Sequence, residues 1–206
     1  HMKSKKNLKT RVITAILLLF LFSLIIKFSY ILVFSLLIFS IMGIIEFNNL
    51  LKRINIQKFL KLIFNVLFII YFFLFSFLFF FFSNFIHLKI ILFSILVGCV
   101  ASDIGGYVFG NLIKGPKLTK VSPNKTISGS IGSIILSMIS TSSIFFYLTN
   151  KVDYKIFIIG FIVSIACQLG DLFFSYLKRK AKLKDTGNFL PGHGGVLDRI
   201  DGILTG

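Results

Sequence analysis

Long apolar stretches separated by short polar ones make up most of this chain. A hydrocarbon core of about 30 Å requires roughly 20 helical residues at a rise of about 1.5 Å each, so apolar runs of about 18 residues or more indicate membrane-spanning helices. The pattern predicts six such helices, at about 12–26, 28–45, 62–83, 88–109, 127–148 and 156–177. A seventh apolar segment, from Val196 to Gly206, has about half the length of a crossing, and we expect it to begin a longer span.

The first two predicted spans need a turn between them. From Val12 to Ile45 the only charged residue is Lys27. A single helix over this stretch would be about 51 Å long, which exceeds the hydrocarbon core of about 30 Å. The fold class that follows is an all-α, polytopic integral membrane protein of about six full spans. We expect N-terminal transmembrane helices with a cytoplasmic N-terminus over 1–109, and a C-terminal catalytic transmembrane region over 110–206, in one membrane domain that is truncated at its C-terminus.

Composition and charge support this interpretation. Hydrophobic residues make up 56% of the chain and the mean hydropathy is +0.92, whereas a soluble domain needs more polar surface. Of the 23 Lys and Arg residues, 18 lie in segments that the predicted spans place on one side of the membrane: 3–11, 52–61, 114–125 and 178–184. The positive-inside rule makes that side cytoplasmic. Charge that is spread over short juxtamembrane loops favours membrane lipid headgroups as partners and argues against nucleic acid.

Acidic residues in apolar segments are candidate functional residues, because a charge in the hydrocarbon core is costly. Asp103 lies toward the cytoplasmic end of the fourth span, and Asp171 lies about two turns before the last basic loop. Asp198 and Asp201 are spaced i, i+3 on the first turns of a helix that follows a glycine-rich loop. All four lie on the same side as the basic loops. Carboxylates that face Lys and Arg residues are typical of a magnesium–phosphate site.

Further polar residues accompany these acids. Gln168, Asp171, Ser175 and Lys178 form one stripe of a helix. The segment 120–130 contains lysines and hydroxyls before a predicted helix, and suits either phosphate binding or an ordinary capped loop. The residues therefore predict a membrane enzyme that acts on phosphorylated or nucleotide substrates with a divalent metal.

Structural interpretations of the same residues stay open. Asp201 could pair with Arg199 or with a loop lysine. Asp171 could form only a hydrogen bond to a neighbouring span. Gly106 and Gly110 form a small-xxx-small pair, so that the segment around them could serve helix packing.

The stretch from Ser175 to Asp201, SYLKRKAKLKDTGNFLPGHGGVLDRID, resembles the signature of the phosphatidate cytidylyltransferases, also called CDP-diacylglycerol synthases. The positions that match are Ser175, Lys178, Arg179, Lys184, Asp185, Gly187, Pro191, His193, Gly194, Gly195, Asp198, Arg199 and Asp201. SDIGGYVFG at 102–110 and SPNKTISG at 122–129 fit the same family, although Asn124 stands where relatives usually have Lys.

The resemblance implies transfer of CMP from CTP to phosphatidic acid, which gives CDP-diacylglycerol and pyrophosphate in phospholipid biosynthesis. It implies a homodimer in the inner (plasma) membrane with its active site facing the cytoplasm, and a need for Mg²⁺, with room for a second, monovalent cation. Asp171 and Asp198 would hold the metal and would be catalytic together with Lys184, Asp185 and His193. The implied substrate-binding residues are Asp103, Ser122, Lys125, Thr126, Ser175, Lys178, Arg179, Gly194, Gly195, Arg199 and Asp201.

Two other function classes are alternatives. A transporter or flippase could use intramembrane acids for proton coupling, but it would leave the Lys-, His- and Gly-rich loop unexplained, and the sequence shows no obvious internal repeat. A CDP-alcohol phosphotransferase acts on the same lipid in the next step. Those enzymes usually carry D-G-x-x-A-R followed by G-x-x-x-D-x-x-x-D, and that spacing is absent from this chain.

Overall fold

A computed structural model describes residues 16–17, 20–21, 24–25, 28–119, 122, 125–187, 189 and 194–205. Its helices are α1 (Ser29–Arg53), α2 (Lys58–Asn84), α3 (Ile86–Leu112), α4 (Ile127–Thr149), α5 (Tyr154–Lys180) and α6 (Leu197–Thr205). The helices α1 to α5 are each long and apolar enough to cross a membrane. The described residues contain no β-strand. The chain is therefore a multi-pass, all-α membrane protein, as predicted.

The predicted spans and the observed helices differ at their ends. Most of the first predicted span, 12–26, lies outside the described residues. Each of the other five predicted spans corresponds to one helix, but the predicted loop at 46–61 is wrong, because α1 continues to Arg53 and α2 already begins at Lys58. Lys52 and Arg53 occupy the last turn of α1, where cations interact favourably with the helix dipole and reach out from the apolar region. At this loop, basic residues thus belong to the ends of α1 and α2, beyond the apolar stretch that marks each of these two spans.

The described residues form two compact units. The first comprises those up to Phe80 together with Lys180–Arg199, and the second comprises Phe81–Arg179 together with Ile200 and the residues after it. The domain division expected at residue 109 stays a prediction.

Aromatic side chains join α1 to α2 within the first unit. The rings of Phe47 and Phe68 stack with their centroids 3.8 Å apart, and the ring of Phe72 meets Phe68 edge-on at 5.0 Å. Gly43 makes room for this cluster, since a Cβ there would lie 2.7 Å from the ring of Phe72. Other side chains of α2 are exposed, among them Phe73 at 69%, as expected for a helix that faces lipid.

Glycines bring α3 and α4 close together within the second unit. A Cβ on Gly105 would lie 2.6 Å from the carbonyl oxygen of Gly132, and a Cβ on Gly129 would lie 2.7 Å from that of Gly106. Gly110 faces the start of the same helix, where a Cβ would lie 3.7 Å from the Cα of Gly129. The packing role that the small-xxx-small spacing allowed for Gly106 and Gly110 is confirmed.

Buried hydroxyl groups add a second set of contacts among α3, α4 and α5. The hydroxyls of Ser102 and Ser164 lie 2.9 Å apart, and Ser133 Oγ donates to the carbonyl oxygen of Ser102 at 2.7 Å. Ser137 Oγ donates to the carbonyl oxygen of Gly160 at 3.0 Å. Small side chains that also hydrogen-bond across helices allow close packing without leaving buried polar groups unsatisfied. These three helices form the frame of the site described next.

Candidate active site

A polar cavity of about 280 Å³ lies in the second unit, among α3, α4 and α5. Its polar lining includes Asp103, Ser122, Lys125, Thr126, Gln168 and Asp171. All of these except Gln168 were predicted site residues. The structure thus brings together residues from three separate parts of the sequence, as the predicted chemistry requires.

Lys125 and Asp171 form an ion pair at this cavity. Asp171 lies on α5 and Lys125 directly precedes Thr126, and the Lys125 ammonium nitrogen is 2.8 Å from Asp171 Oδ2. Both side chains are partly exposed, at 29% for Lys125 and 26% for Asp171. The partner of Asp171 is therefore a loop lysine that borders a cavity. A charge-assisted bond in such a position can be exchanged for a bond to a ligand.

Gln168 fixes the face of α5 that carries Asp171. Its amide nitrogen donates to the Ser130 carbonyl oxygen at 3.3 Å and to Ser164 Oγ at 3.2 Å. The Ser130 hydroxyl donates in turn to the Gln168 amide oxygen. Gln168 and Asp171 lie three residues apart and share one helix face, so these bonds hold α5 in register with α4.

The segment before α4 is a capped helix start. Thr126 is the N-cap of α4, and its hydroxyl accepts a hydrogen bond from the Gly129 backbone N–H at 3.1 Å. The Lys125 N–H donates to the Ser122 carbonyl oxygen at 3.0 Å, directly before this helix start. Of the two interpretations that the sequence left open, the capping one is confirmed for Thr126. Phosphate binding by Lys125 and its neighbours stays a prediction, and the positive end of the helix dipole favours it.

The donor atoms of the cavity suit Mg²⁺. Asp103 and Asp171 both line it, together with hydroxyl and amide oxygens, and Mg²⁺ prefers oxygen ligands. Within the described residues no three His, Cys, Asp or Glu side chains come together to hold a metal ion. A Mg²⁺ site that uses one or two carboxylates with substrate phosphates and water needs no such group.

Asp198 lies in the first unit and is held by its own loop. Asp198 Oδ2 accepts hydrogen bonds from the Thr186 N–H at 2.8 Å and the Gly195 N–H at 3.1 Å, and the Thr186 hydroxyl lies 3.1 Å from it. Gly194 has a φ of +89°, a conformation that favours glycine. Whether Asp198 acts with Asp171 on one metal ion stays a prediction.

A second cavity, of about 500 Å³, lies in the first unit. Lys52 and Arg53 line it from the end of α1, and Lys184 and Asp185 line it from the loop that was predicted to be catalytic. In the part of the chain that the structure describes, none of these three cations forms an ion pair. Lys52 and Arg53 were not predicted site residues. Their position at the basic end of an apolar helix was the signal available in the sequence.

The remaining predicted substrate-binding residues lie on two helices: Ser175, Lys178 and Arg179 on α5, and Arg199 and Asp201 on α6. Asp201 Oδ1 accepts a hydrogen bond from the Gly202 N–H at 3.0 Å. His193 lies outside the described residues. The roles of all these residues in substrate binding and catalysis stay predictions.

Glu46 is a residue that the sequence interpretation missed. Its carboxylate is buried, with 4% of the residue exposed, and it accepts hydrogen bonds from Thr186 Oγ1 and from the backbone N–H groups of Val196 and Leu197, each at 2.9 Å. Because 46–61 was predicted to be a loop, Glu46 was not expected to be buried. The signal in the sequence was an acidic residue directly after a long uncharged stretch.

The chain is similar in sequence to a known protein family. The sequence model of the Cytidylyltransferase family matches residues 1–206. Three relatives named phosphatidate cytidylyltransferase are similar to the chain. The protein from Mycobacterium leprae is 40% identical over 114 residues, which cover 55% of this chain and 36% of the relative. The Helicobacter pylori (strain 26695) protein is 39% identical over 112 residues, 54% of this chain and 42% of the relative.

The third relative, from Staphylococcus haemolyticus, is 43% identical over 119 residues, 57% of this chain and 45% of the relative. The chain thus matches less than half the length of each of these three relatives. The family's sequence model, in contrast, matches every position of the chain. The chain belongs to the Cytidylyltransferase family.

Proposed function

We propose that this protein transfers CMP from CTP to phosphatidic acid, giving CDP-diacylglycerol and pyrophosphate. The observation that carries the proposal is the polar cavity with Asp103 and the Lys125–Asp171 ion pair, framed by helices that are apolar enough to cross a membrane. An enzyme that joins a lipid phosphate to a soluble nucleotide needs charged groups in such a membrane-bound frame. The name phosphatidate cytidylyltransferase, carried by relatives that are 39% to 43% identical, supports this reaction.

The proposed step is an in-line displacement at phosphorus. A phosphate oxygen of phosphatidate forms a bond to the α-phosphorus of CTP. The bond from that phosphorus to the oxygen that bridges it to the β-phosphorus breaks, and pyrophosphate leaves with the oxygen and the bonding electrons. Such transfers depend mostly on positioning and on neutralisation of charge. Asp171 holds the Lys125 ammonium group beside the cavity, where it can neutralise phosphate oxygens.

A divalent cation belongs to the proposal. Asp171 would hold Mg²⁺, and Asp103 is the second carboxylate on the same cavity. When bound, the ion neutralises charge on the phosphates of the nucleotide. The ligand role of Asp198 and a second, monovalent cation are expectations from the resemblance.

The proposed location is the inner membrane, with the site facing the cytoplasm. The bacterial relatives support that membrane, and the basic residues at one set of helix ends support that orientation. The orientation is tested by replacing the exposed Lys182 with cysteine and labelling it with a membrane-impermeant maleimide, since Cys99 and Cys167 are buried. Labelling in intact cells rather than in inverted vesicles contradicts it. The homodimer is proposed from the resemblance, and light scattering in detergent measures it.

The function is tested with the purified chain in detergent. CTP, phosphatidate and Mg²⁺ should together yield CDP-diacylglycerol and an equal amount of pyrophosphate. A transporter, or a CDP-alcohol phosphotransferase, releases no pyrophosphate when phosphatidate is added. Equal use of ATP and CTP, or full activity in excess EDTA, contradicts the proposal.

A further inference from the structure

Glu46 is a buried acid at the point where the apolar part of α1 passes into its polar last turns. Only 4% of the residue is exposed. An ionised carboxylate in such a place is costly unless hydrogen-bond donors surround it. The partners of Glu46 therefore indicate what it does.

Those partners belong to the start of α6 and to the loop before it. Glu46 Oε1 accepts from the Val196 N–H at 2.9 Å, and Oε2 accepts from the Leu197 N–H and from Thr186 Oγ1, also at 2.9 Å. The first N–H groups of a helix have no partner within that helix, and the positive end of the dipole lies there. Glu46 thus caps α6 from a position 151 residues before Leu197 in the chain.

The same loop residue also holds Asp198. The Thr186 hydroxyl lies 2.9 Å from Glu46 Oε2 and 3.1 Å from Asp198 Oδ2. A hydroxyl has one proton and donates to one acceptor at a time, so the Thr186 hydroxyl donates to one of the two carboxylates while it stays in contact with the other. The Thr186 N–H donates to Asp198 as well, at 2.8 Å. A displacement of Thr186 therefore moves a donor away from Asp198.

Two glycines show how closely the loop surrounds the Glu46 carboxylate. A Cβ on Gly187 would lie 2.7 Å from Glu46 Oε1, and a Cβ on Gly195 would lie 2.6 Å from Glu46 Oε2. Both distances are shorter than real Cβ contacts, so a side chain at either position would displace the Glu46 carboxylate or the loop around it. Gly187 and Gly195 are also positions of the stretch that resembles the phosphatidate cytidylyltransferase signature. This part of the stretch is folded around a residue that lies outside it.

We propose that Glu46 is a positioning residue, which holds Thr186 and the segment 194–198, and with them the Asp198 carboxylate, in the geometry that the transfer reaction needs. The proposal rests on the proposed function, because it assumes that Asp198 takes part in that reaction. Without the Glu46 carboxylate, the backbone N–H groups of Val196 and Leu197 lose their acceptor, and the Thr186 hydroxyl keeps only its contact with Asp198. The segment then moves, and a misplacement of about 1 Å near the reacting groups lowers the rate by roughly 100-fold.

The test uses Glu46→Gln in the full chain, purified in detergent. Glutamine has the same shape, but its amide nitrogen is a donor that would face donors. We expect the Val196 and Leu197 amides to exchange with deuterium at least about 10-fold faster, because their acceptor is weakened, while amides of α4 are unchanged. The kcat should fall by about 10- to 100-fold, with the KM for CTP within about twofold of the original value.

Ser40→Ala is the matched control. Ser40 lies on the same helix, and its hydroxyl is 3.0 Å from the Ser76 hydroxyl. The substitution removes this contact and the bond from Ser40 Oγ to the Leu36 carbonyl oxygen, without touching Thr186 or the segment 194–198. Exchange at Val196 and kcat should both stay unchanged.

A second pair of variants decides the question if Glu46→Gln does not fold. Thr186→Ser keeps the hydroxyl and should keep kcat within about twofold, whereas Thr186→Val removes it and should lower kcat by about 10-fold. Equal kcat values in these two variants overturn the proposal. Unchanged exchange in Glu46→Gln overturns it as well, and so does faster exchange with unchanged kcat. If the unsubstituted chain makes no CDP-diacylglycerol, the proposed function has failed, and the exchange measurement alone still decides whether Glu46 anchors the segment.

Discussion

Two carboxylates in this chain, those of Glu46 and Asp171, differ in their exposure and in the number of hydrogen bonds that they accept. Glu46 is 4% exposed and accepts three hydrogen bonds, two of them from backbone N–H groups. Asp171 borders a cavity with a 26% exposed side chain, and among the described residues its one hydrogen-bond partner is Lys125. A carboxylate has about four lone-pair sites. Glu46 has used most of them on the fold, whereas Asp171 keeps several for a ligand.

The comparison gives a rule for acids in membrane helices. A carboxylate that stabilises the fold and a carboxylate that binds a ligand are both costly to bury. An acidic residue on an apolar helix therefore indicates that the residue is important, but not which of these two roles it has. The donors that surround it separate the two. Where backbone groups saturate the carboxylate, its loss should disturb the fold near it, and where a cavity remains, its loss should disturb ligand binding and catalysis.

Among the substitutions that test this comparison, Asp171→Asn should have the largest effect on turnover. Turnover should fall by about 1,000-fold or more, because the site loses a negative charge that holds Lys125 and that would hold Mg²⁺, a loss of several kcal/mol. Folding should be retained, since the side chain is partly exposed. CDP-diacylglycerol formation at matched concentrations of folded protein measures the effect.

Asp153→Asn is the control for that variant. Asp153 Oδ1 accepts a hydrogen bond from the exposed Lys155 N–H at 2.9 Å, at the start of α5 and away from the end that carries the basic residues. Its replacement should leave turnover within about twofold, as surface substitutions usually do. A loss as large as that of Asp171→Asn would contradict the predicted membrane topology.

Asp198 tests the limit of this rule, because two backbone N–H groups bond to its carboxylate and it was still predicted to be catalytic. In Asp198→Asn the amide oxygen can keep the bonds from Thr186 and Gly195 while the negative charge is lost. We expect turnover to fall by about 100-fold or more, with the free energy of unfolding changed by about 1 kcal/mol. A thermal melt and the turnover assay together measure both. If stability falls and turnover does not, Asp198 belongs with Glu46 as a structural carboxylate.

Substitutions of Lys125, the ion-pair partner of Asp171, test the carboxylate that borders the cavity. Lys125→Met leaves Asp171 without its cation and removes the charge offered to phosphate, so kcat/KM should fall by about 100-fold. Lys125→Arg keeps the charge with a different shape and should retain more activity than Lys125→Met. Initial rates over a range of CTP concentrations measure both variants. Equal losses in the two would mean that the shape of the lysine, and not its charge, is what the site needs.

Much of the fold could be predicted because bilayer thickness sets the length of a span. Five of the predicted apolar runs became helices. Several of their ends were wrong, since hydropathy marks the hydrocarbon core, whereas residues such as Lys52 and Arg53 continue the helix beyond the apolar stretch. A hydropathy pattern thus predicts which segments cross, and capping groups and helix-end charges decide where each helix stops.

The candidate site could be predicted only in part. Asp103, Lys125 and Asp171 were predictable because charges beside or within apolar segments are costly, and the structure places all three on one cavity. Glu46 was not, because its partners lie 140 to 151 residues away and two of them are backbone groups, which any residue type carries. The sequence shows that a charge is unusual, and the fold shows which donors it meets.

The smallest expected effect concerns the basic cavity of the first unit. The double substitution of Lys52→Gln and Arg53→Gln removes two of the cations that line it and keeps the length of the side chains close to the original. These residues are exposed and border a cavity of about 500 Å³, so screening by water and salt limits each charge. We expect the KM for CTP or for phosphatidate to rise by about 3- to 10-fold at low ionic strength, with kcat nearly unchanged.

The control for this variant is Lys151→Gln with Lys155→Gln, which removes the same number of charges from a turn that was predicted to lie on the opposite side of the membrane. That pair should leave both KM values unchanged. Raising the salt concentration should shrink the difference between the Lys52 and Arg53 variant and the unsubstituted chain, because added ions screen the exposed charges that the unsubstituted chain still has. A rise in KM that does not depend on salt would mean that these two residues shape the cavity rather than supply its charge. A rise of the same size in the control would mean that net charge alone, through attraction of anionic substrates to the whole surface, accounts for the effect.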